Sequence, residues 1–165
     1  MSNSAFSIRP VRPEDAGALA AIYNYYITQT VATFETEEIG AQEMSRRMDD
    51  TSRRPWLVWE EEGLILGYAY ASPWKARAAY KQTMESTIYL RQGFGGRGLG
   101  RMLYEALLKE LKEMDIHAVL AGIALPNESS VNLHEHLGYE HVGTMREVGY
   151  KQGRWVDVGY WELLL

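Results

Sequence analysis

Leu99, Leu103, Leu107 and Leu111 recur every fourth residue, with Glu105, Lys109, Lys112 and Glu113 left for solvent. That spacing predicts an amphipathic helix. Upstream, Met84–Leu90 (MESTIYL) is rich in β-branched and aromatic residues and predicts a buried strand. Between the two, Gly93-Phe-Gly-Gly-Arg-Gly-Leu-Gly100 holds five glycines in eight residues. The rest of the chain reads around this unit. Phe6–Val11 alternates as a first strand. Pro13-Glu14-Asp15 opens a helix that runs to about Tyr26, since proline and acids suit a first helical turn. Thr28–Glu38 shows no period and predicts a loop over the site, and Gln42–Asp50 a short polar helix. Trp56–Glu60 and Leu64–Ser72 form a hairpin about Glu61-Glu62-Gly63. Pro73–Tyr80 leaves the sheet. Ala118–Leu125 predicts a strand and Ser130–Leu137 a helix, capped by Pro126-Asn127-Glu128-Ser129 and ended by Gly138. Tyr139–Glu147 and Trp155–Leu164 are the last strands, joined by a turn at Lys151–Arg154.

A strand, a glycine-rich loop and a helix together suit a phosphate. Glycine lets the backbone approach closely and adopt positive φ. The first amides of a helix lack internal partners, and its dipole favours an anion there. Arg91, Arg97 and Arg101 add positive charge. A plain turn needs one or two glycines, so five point to a ligand. A Walker A loop requires Lys-Ser or Lys-Thr after its last glycine, and Leu99-Gly100-Arg101 fails that test. Gly93, Gly95 and Gly98 satisfy G-x-G-x-x-G, with Asp115 placed for a ribose. That fingerprint normally follows a first strand, whereas here half the chain precedes it. A third candidate is the pyrophosphate loop of acyl-CoA transferases.

At 165 residues the chain predicts one domain, spanning 1–165, with a sizeable core. A net charge of −5 gives nucleic-acid binding no general support. Lys75, Arg77, Lys81, Arg91, Arg97 and Arg101 make a local patch, not a basic face. The absence of cysteine excludes disulfides, a thiolate zinc site and a cysteine acyl-enzyme, and no metal site is expected. The polar start Met-Ser-Asn-Ser and the lack of a long apolar run predict a cytoplasmic protein without membrane contact.

The order β-α-α-β-β-β-α-β-α-β-β resembles the GNAT superfamily of acyl-CoA-dependent N-acetyltransferases. Its loop reads Gln/Arg-x-x-Gly-x-Gly/Ala. Gly98 and Gly100 match, and the first slot falls on Gly95, which removes one side-chain contact and leaves the backbone cradle. Further blocks narrow the resemblance: Pro73-Trp-Lys-Ala-Arg77, Glu85-Ser-Thr-Ile-Tyr89, Leu125-Pro-Asn127, Leu133-His-Glu-His-Leu-Gly-Tyr139 and Gly149-Tyr-Lys-x-Gly-x-Trp-x-Asp-Val-Gly-x-Trp161. They are similar to phosphinothricin N-acetyltransferases over nearly the whole chain. The resemblance implies an α/β (α+β) fold with a mixed, mostly antiparallel sheet of about seven strands and about four helices. It implies acetyl-CoA as cosubstrate, direct transfer to the α-amine of phosphinothricin, methionine sulfoximine or a similar amino acid, and a homodimer. Two other readings stay open: another small amine as acceptor, or a non-catalytic acyl-CoA- or nucleotide-binding module.

Transfer to an amine needs a proton acceptor and stabilisation of the developing oxyanion. Glu85 is the lone acid of its strand. Spacing places it equally well toward solvent or in the site, and the resemblance assigns it the base. His134, by resemblance, accepts a proton or orients a group, and otherwise packs within its helix. The backbone of Ile88, Tyr89 and Leu90 is expected to run beside the pantetheine amides like an added strand. Amides of Gly95, Gly96, Arg97, Gly98, Leu99, Gly100 and Arg101 are expected to hold the pyrophosphate. Asn127, by resemblance, contacts the cofactor, and a helix cap is compatible with that. Lys75, Arg77 and Tyr80 suit a small amino acid with a second acidic group. Phe34 and Thr36 wall the pocket, while Glu35 beside them would repel an anion. Tyr150, Lys151, Arg154 and Trp155 close the site from the last hairpin, in the same chain or a partner.

Overall fold

The computed structural model describes residues 6–49 and 54–165. Asp50 and the N-terminal Met-Ser-Asn-Ser lie outside them. Among the described residues, seven strands form one sheet in the order β1-β2-β3-β4-β5-β7-β6. The strands are β1 (Phe6–Pro10), β2 (Trp56–Glu61), β3 (Leu64–Pro73), β4 (Thr83–Leu90), β5 (Ala118–Leu125), β6 (Glu140–Lys151) and β7 (Arg154–Leu164). The helices are α1 (Ala16–Gln29), α2 (Ala41–Asp49), α3 (Leu99–Glu113) and α4 (Glu128–His136). The mixed, mostly antiparallel sheet expected from the sequence is what forms, with β4 and β5 as its parallel pair.

Apolar residues cover both faces of β2, so its pattern is continuous, not alternating. Leu57 and Trp59 join the core under α3, while Trp56 and Val58 join the core under α1 and α2. On α3, Leu99, Leu103, Leu107 and Leu111 are all buried, as their spacing requires. Leu99 starts the helix because Gly98, at φ 80°, turns the chain in the left-handed region.

Several boundaries move. Pro13–Asp15 forms a separate 3-10 turn, and α1 runs three residues past Tyr26 to Gln29. Thr28 and Gln29 are therefore helical, not loop. Asp15 joins this turn to β1 by accepting from the Arg12 amide at 2.7 Å and from both arms of Arg9 at 2.8 and 2.9 Å. β6 extends four residues past Glu147. Its hairpin turn is just Gln152 and Gly153, both at positive φ. β6 holds its pairing through two irregularities, at His141/Gly143 and Met145/Gly149, which local pattern does not announce.

The pairing of β4 with β5 positions the site. It covers Thr83↔Ala118, Met84↔Val119 and Glu85↔Leu120 and then stops. β5 continues to pair with β7 as far as Leu125↔Asp157, and β4 with β3 as far as Leu90↔Gly67. The two strands part after Glu85.

Leu103 is fully buried under the sheet. Leu103→Ala is expected to lower unfolding stability by about 2–5 kcal/mol, read as a lower urea midpoint at unchanged slope.

Candidate active site

Where β4 and β5 part, a cleft of about 600 Å³ opens. One wall is residues 86–90 of β4. The other is the end of β5 and the start of α4. The glycine loop and the first turn of α3 close one end, with Gly95, Gly96, Gly98, Gly100 and Arg101 facing in. Gly96 and Gly98 sit at φ 76° and 80°, and an added Cβ at Gly95, Gly96 or Gly98 would meet nothing within 4 Å. The loop is thus open toward the cleft. Gly100 differs: a Cβ there would lie 3.3 Å from Leu133 and 3.5 Å from Leu90, so its glycine lets α3 approach the strand. Arg91 and Arg101 line the cleft, but each is also held nearby, Arg91 by Ile65 O at 2.8 Å and Arg101 by Glu105 at 2.8 Å. Arg97 turns to Glu61 at 3.3 Å. Asn127 faces the cleft while its Oδ1 accepts from the Ser130 amide at 3.2 Å, so the cap and the lining are both real.

Ser86 lies at the point of divergence. Its Oγ donates to Leu120 O at 3.3 Å and sits 2.9 Å from the hydroxyls of Tyr104 and Tyr139. Tyr104 OH is also 2.9 Å from His134 Nε2, and His134 Nδ1 donates to Ser130 O at 2.7 Å. Burial lowers the His134 pKa, against the opposing pull of the Ser130 carbonyl, so the ring is neutral and Nε2 is its lone-pair nitrogen. Burial likewise pushes Tyr104 well up and Tyr139 above its usual value, so both phenols stay protonated. These buried groups satisfy one another.

Glu85 points to the opposite face. Ser86 packs toward α3, so Glu85, Thr87 and Tyr89 face α1 and α2. The structure therefore separates Glu85 from His134 by the thickness of the sheet. Among the described residues nothing hydrogen-bonds the Glu85 carboxylate, and burial raises its pKa. Oε1 lies over Gly122: a Cβ there would be 3.4 Å from that oxygen and 3.2 Å from the Tyr160 ring. Gly122 and Tyr160, which are register partners on β5 and β7, escape sequence reasoning because nothing local ties them to Glu85.

The predicted loop between α1 and α2 is firmly held. Asn24 brackets Ile39 with two 2.9 Å bonds. Glu35 accepts from Arg47 at 2.7 and 3.1 Å and from Tyr23 OH at 2.9 Å. Arg47 thereby holds the Glu35 carboxyl below its usual range and offsets the repulsion expected of it. Tyr23 is pushed up to about 12, mainly by burial. Phe34, partly exposed, packs against Gly149 of β6. Lys151, buried, donates to Thr33 O at 2.7 Å. The last hairpin thus closes on this loop within one chain. Tyr150 and Trp155 stay exposed and meet edge-on at 5.0 Å, and Arg154 is exposed with them. Thr36 is exposed and lines neither the cleft nor the recess at the end of β3. Lys75, Arg77 and Tyr80 gather in a separate recess of about 800 Å³ at the end of β3, away from the glycine loop. Trp74 connects that recess to Glu85, since it meets Tyr160 edge-on at 5.7 Å and has the Lys75 ammonium 5.5 Å from its ring centre.

Residues 8–159 match the family model for the acetyltransferase (GNAT) domain. The chain belongs to the GNAT acetyltransferase family. Within that family it is 47% identical to a phosphinothricin N-acetyltransferase of Streptomyces viridochromogenes, over 94% of this chain and 85% of the relative. It is 31% identical to an L-methionine sulfoximine/L-methionine sulfone acetyltransferase of Salmonella typhimurium, over 96% and 94%. Among solved GNAT structures it superposes on the phosphinothricin acetyltransferase of Sinorhizobium meliloti in complex with AcCoA. There the TM-score is 0.93 and the identity 31%, over 97% of this chain and 88% of that one.

Tyr104→Phe leaves Ser86 and His134 without a shared partner. It is expected to cost about 1–3 kcal/mol in chemical denaturation, with no change of fold by circular dichroism.

Proposed function

We propose that this GNAT chain, acting as one catalytic domain, transfers acetyl from acetyl-CoA to the α-amine of a small amino acid. Phosphinothricin and methionine sulfoximine define the acceptor class, as the named activities of its relatives suggest. The observation that carries the reading is Glu85: a half-buried carboxylate without a hydrogen-bond partner among the described residues, beside the point where the strands part.

Acetyl-CoA suits the cleft, because the open edge of β4 and the open glycine turn offer backbone groups where a pantetheine arm and a diphosphate need them. It supplies an acetyl group activated as a thioester. The main chain at Ile88, Tyr89 and Leu90 runs beside the pantetheine amides. Amides of residues 95–101 hold the diphosphate at the start of α3. Asn127 contacts the arm while capping α4. From the recess at the end of β3, Lys75 and Arg77, with Tyr80, grip the acceptor's α-carboxylate. Glu85 takes the proton from the ammonium, directly or through water, and the free amine then attacks. His134, with both nitrogens engaged, acts as a positioning residue through Tyr104 and Ser86.

Glu85→Gln is expected to lower kcat by about 10²–10⁴-fold while acetyl-CoA affinity stays within a few-fold. Turnover near wild type would remove Glu85 as the base, and loss of acetyl-CoA binding would remove the cofactor reading. The base works ionised. Because burial raises its pKa, kcat/KM should climb with pH through a midpoint above the ordinary value of 4.5, and that acid limb should vanish in Glu85→Gln.

We place a second copy of the chain against the outer β6–β7 surface. Val142, Met145, Val148, Tyr150 and Trp155 are each at least half exposed there, an apolar density that monomers rarely show. Trp155→Glu is expected to shift the sedimenting species from two chains to one. The enzyme is proposed to work in the cytoplasm; among the described residues no helix is long and apolar enough to cross a membrane.

A further inference from the structure

β5 leaves one residue exposed, Gly122. It lies two residues past Leu120, the last to pair with β4, so it stands at the mouth of the gap and lines the cofactor cleft. A Cβ there would be 3.4 Å from Glu85 Oε1, 3.2 Å from Tyr160 Cε1 and 3.6 Å from Tyr160 Cζ. Cζ carries the hydroxyl. The polar edge of the phenol and the carboxylate therefore flank one point, and glycine puts no atom of its own there.

Among the described residues neither group has a hydrogen-bond partner, and they do not bond each other. Packing holds Tyr160 in place. It is the register partner of Gly122 on β7 and meets Trp74 edge-on at 5.7 Å. Burial, and then the charge of Glu85, raise its pKa, so the phenol keeps its proton. Its oxygen can still accept a hydrogen bond. A carboxylate and a phenol oxygen that converge without meeting suit a group with several N–H donors between them. The acceptor amine is such a group, and Gly122 puts it at the edge of the cleft.

We propose that Tyr160 is a catalytic residue of the acetyl transfer, whose hydroxyl oxygen accepts one N–H of the acceptor amine over Gly122 and so turns the nitrogen lone pair toward the cleft. The proposal rests on the amino-acid acetyltransferase reading above, with Glu85 as base, and adds to it. Glu85 takes one proton from the ammonium. Tyr160 holds one of the two that remain, and it neither gains nor loses a proton itself. The lone pair set free forms the bond to the acetyl carbon as the bond from that carbon to sulfur breaks. Without Tyr160 the deprotonated amine could rotate about its bond to the α-carbon, and fewer encounters would be aligned for attack.

The test loads wild type and Tyr160→Phe with acetyl-CoA and mixes each with phosphinothricin or methionine sulfone, following the single-turnover rate of acetylation. Phenylalanine keeps the ring against Gly122 and Trp74 and removes the oxygen alone. The rate at saturating acceptor is expected to fall by about tenfold with both amino acids, the size of one hydrogen bond made in the transition state. Half-saturation by the acceptor and affinity for acetyl-CoA should stay within about threefold. An unchanged rate would show that Tyr160 serves packing alone, and would overturn the proposal. A fall with one acceptor only, or weaker half-saturation at an unchanged rate, would show that the hydroxyl reads the side chain or the α-carboxylate, and would overturn it too. Gly122→Ala carries the test if Tyr160→Phe melts early. Its methyl group occupies the shared point and should lower the same rate by about a hundredfold, as for a misplaced nucleophile; a rate near wild type would again overturn the proposal. A wild type that acetylates neither amino acid would instead overturn the acceptor reading beneath it.

Discussion

The site depends on how two parallel strands are forced apart. β4 and β5 share three register pairs, and the next residue, Ser86, meets Tyr104, Tyr139 and the Leu120 carbonyl in place of a strand partner. The rings of Tyr104, Tyr139 and His134 pack edge-on or tilted around this point. They fill space that a continued ladder would occupy. Because the hydroxyls and the imidazole satisfy one another, the wedge holds polar groups in the core without leaving one unpaired. β5 meanwhile stays fixed to β7 along its whole length, and β4 to β3. Each strand keeps one neighbour and gives up the other, which frees a backbone edge next to a glycine turn.

The same divergence sets the electrostatics of Glu85. Alternation along β4 turns Ser86 into the wedge and Glu85 to the opposite face. There, Tyr23, Tyr26, Tyr68, Tyr70 and Tyr89 make an aromatic wall. Tyrosine rings exclude water from a carboxylate without neutralising it. Desolvation is accordingly the cause of its raised pKa. Arginine is close by, but Arg47 is committed to Glu35 and leaves Glu85 unpaired. A salt bridge at Glu85 would have lowered its basicity and filled the space an amine requires.

Local features were legible in the sequence where the physics is local. The four leucines of α3, the glycines at 98 and 138, and the strand ends flanked by turns each express a constraint within a few residues. The family's motif blocks placed Glu85 and the glycine turn together. Contacts set by register were not legible. Ser72 opposite Glu85, Gly122 beneath its oxygen and Tyr160 beside it come from three strands far apart in sequence. Lys151 reads as a hairpin-turn cation and is instead buried, bonded to carbonyls more than a hundred residues away. Glu35 reads as a repulsive charge until Arg47 is seen beside it. His134 reads as a proton acceptor or orienting group, yet the pleat puts it on the opposite side of the sheet from Glu85.

The short seam between β4 and β5 has a mechanical corollary. Four strands with α1, α2 and α3 lie on one side of it, and three strands with α4 on the other. With three rungs of ladder to join them, the stiffness of the whole sheet is lowest along this line. An occupant that lies in the gap and bonds to both flanks would act as a splint. Its grip on the protein and the rigidity of the protein around Glu85 would then rise and fall together.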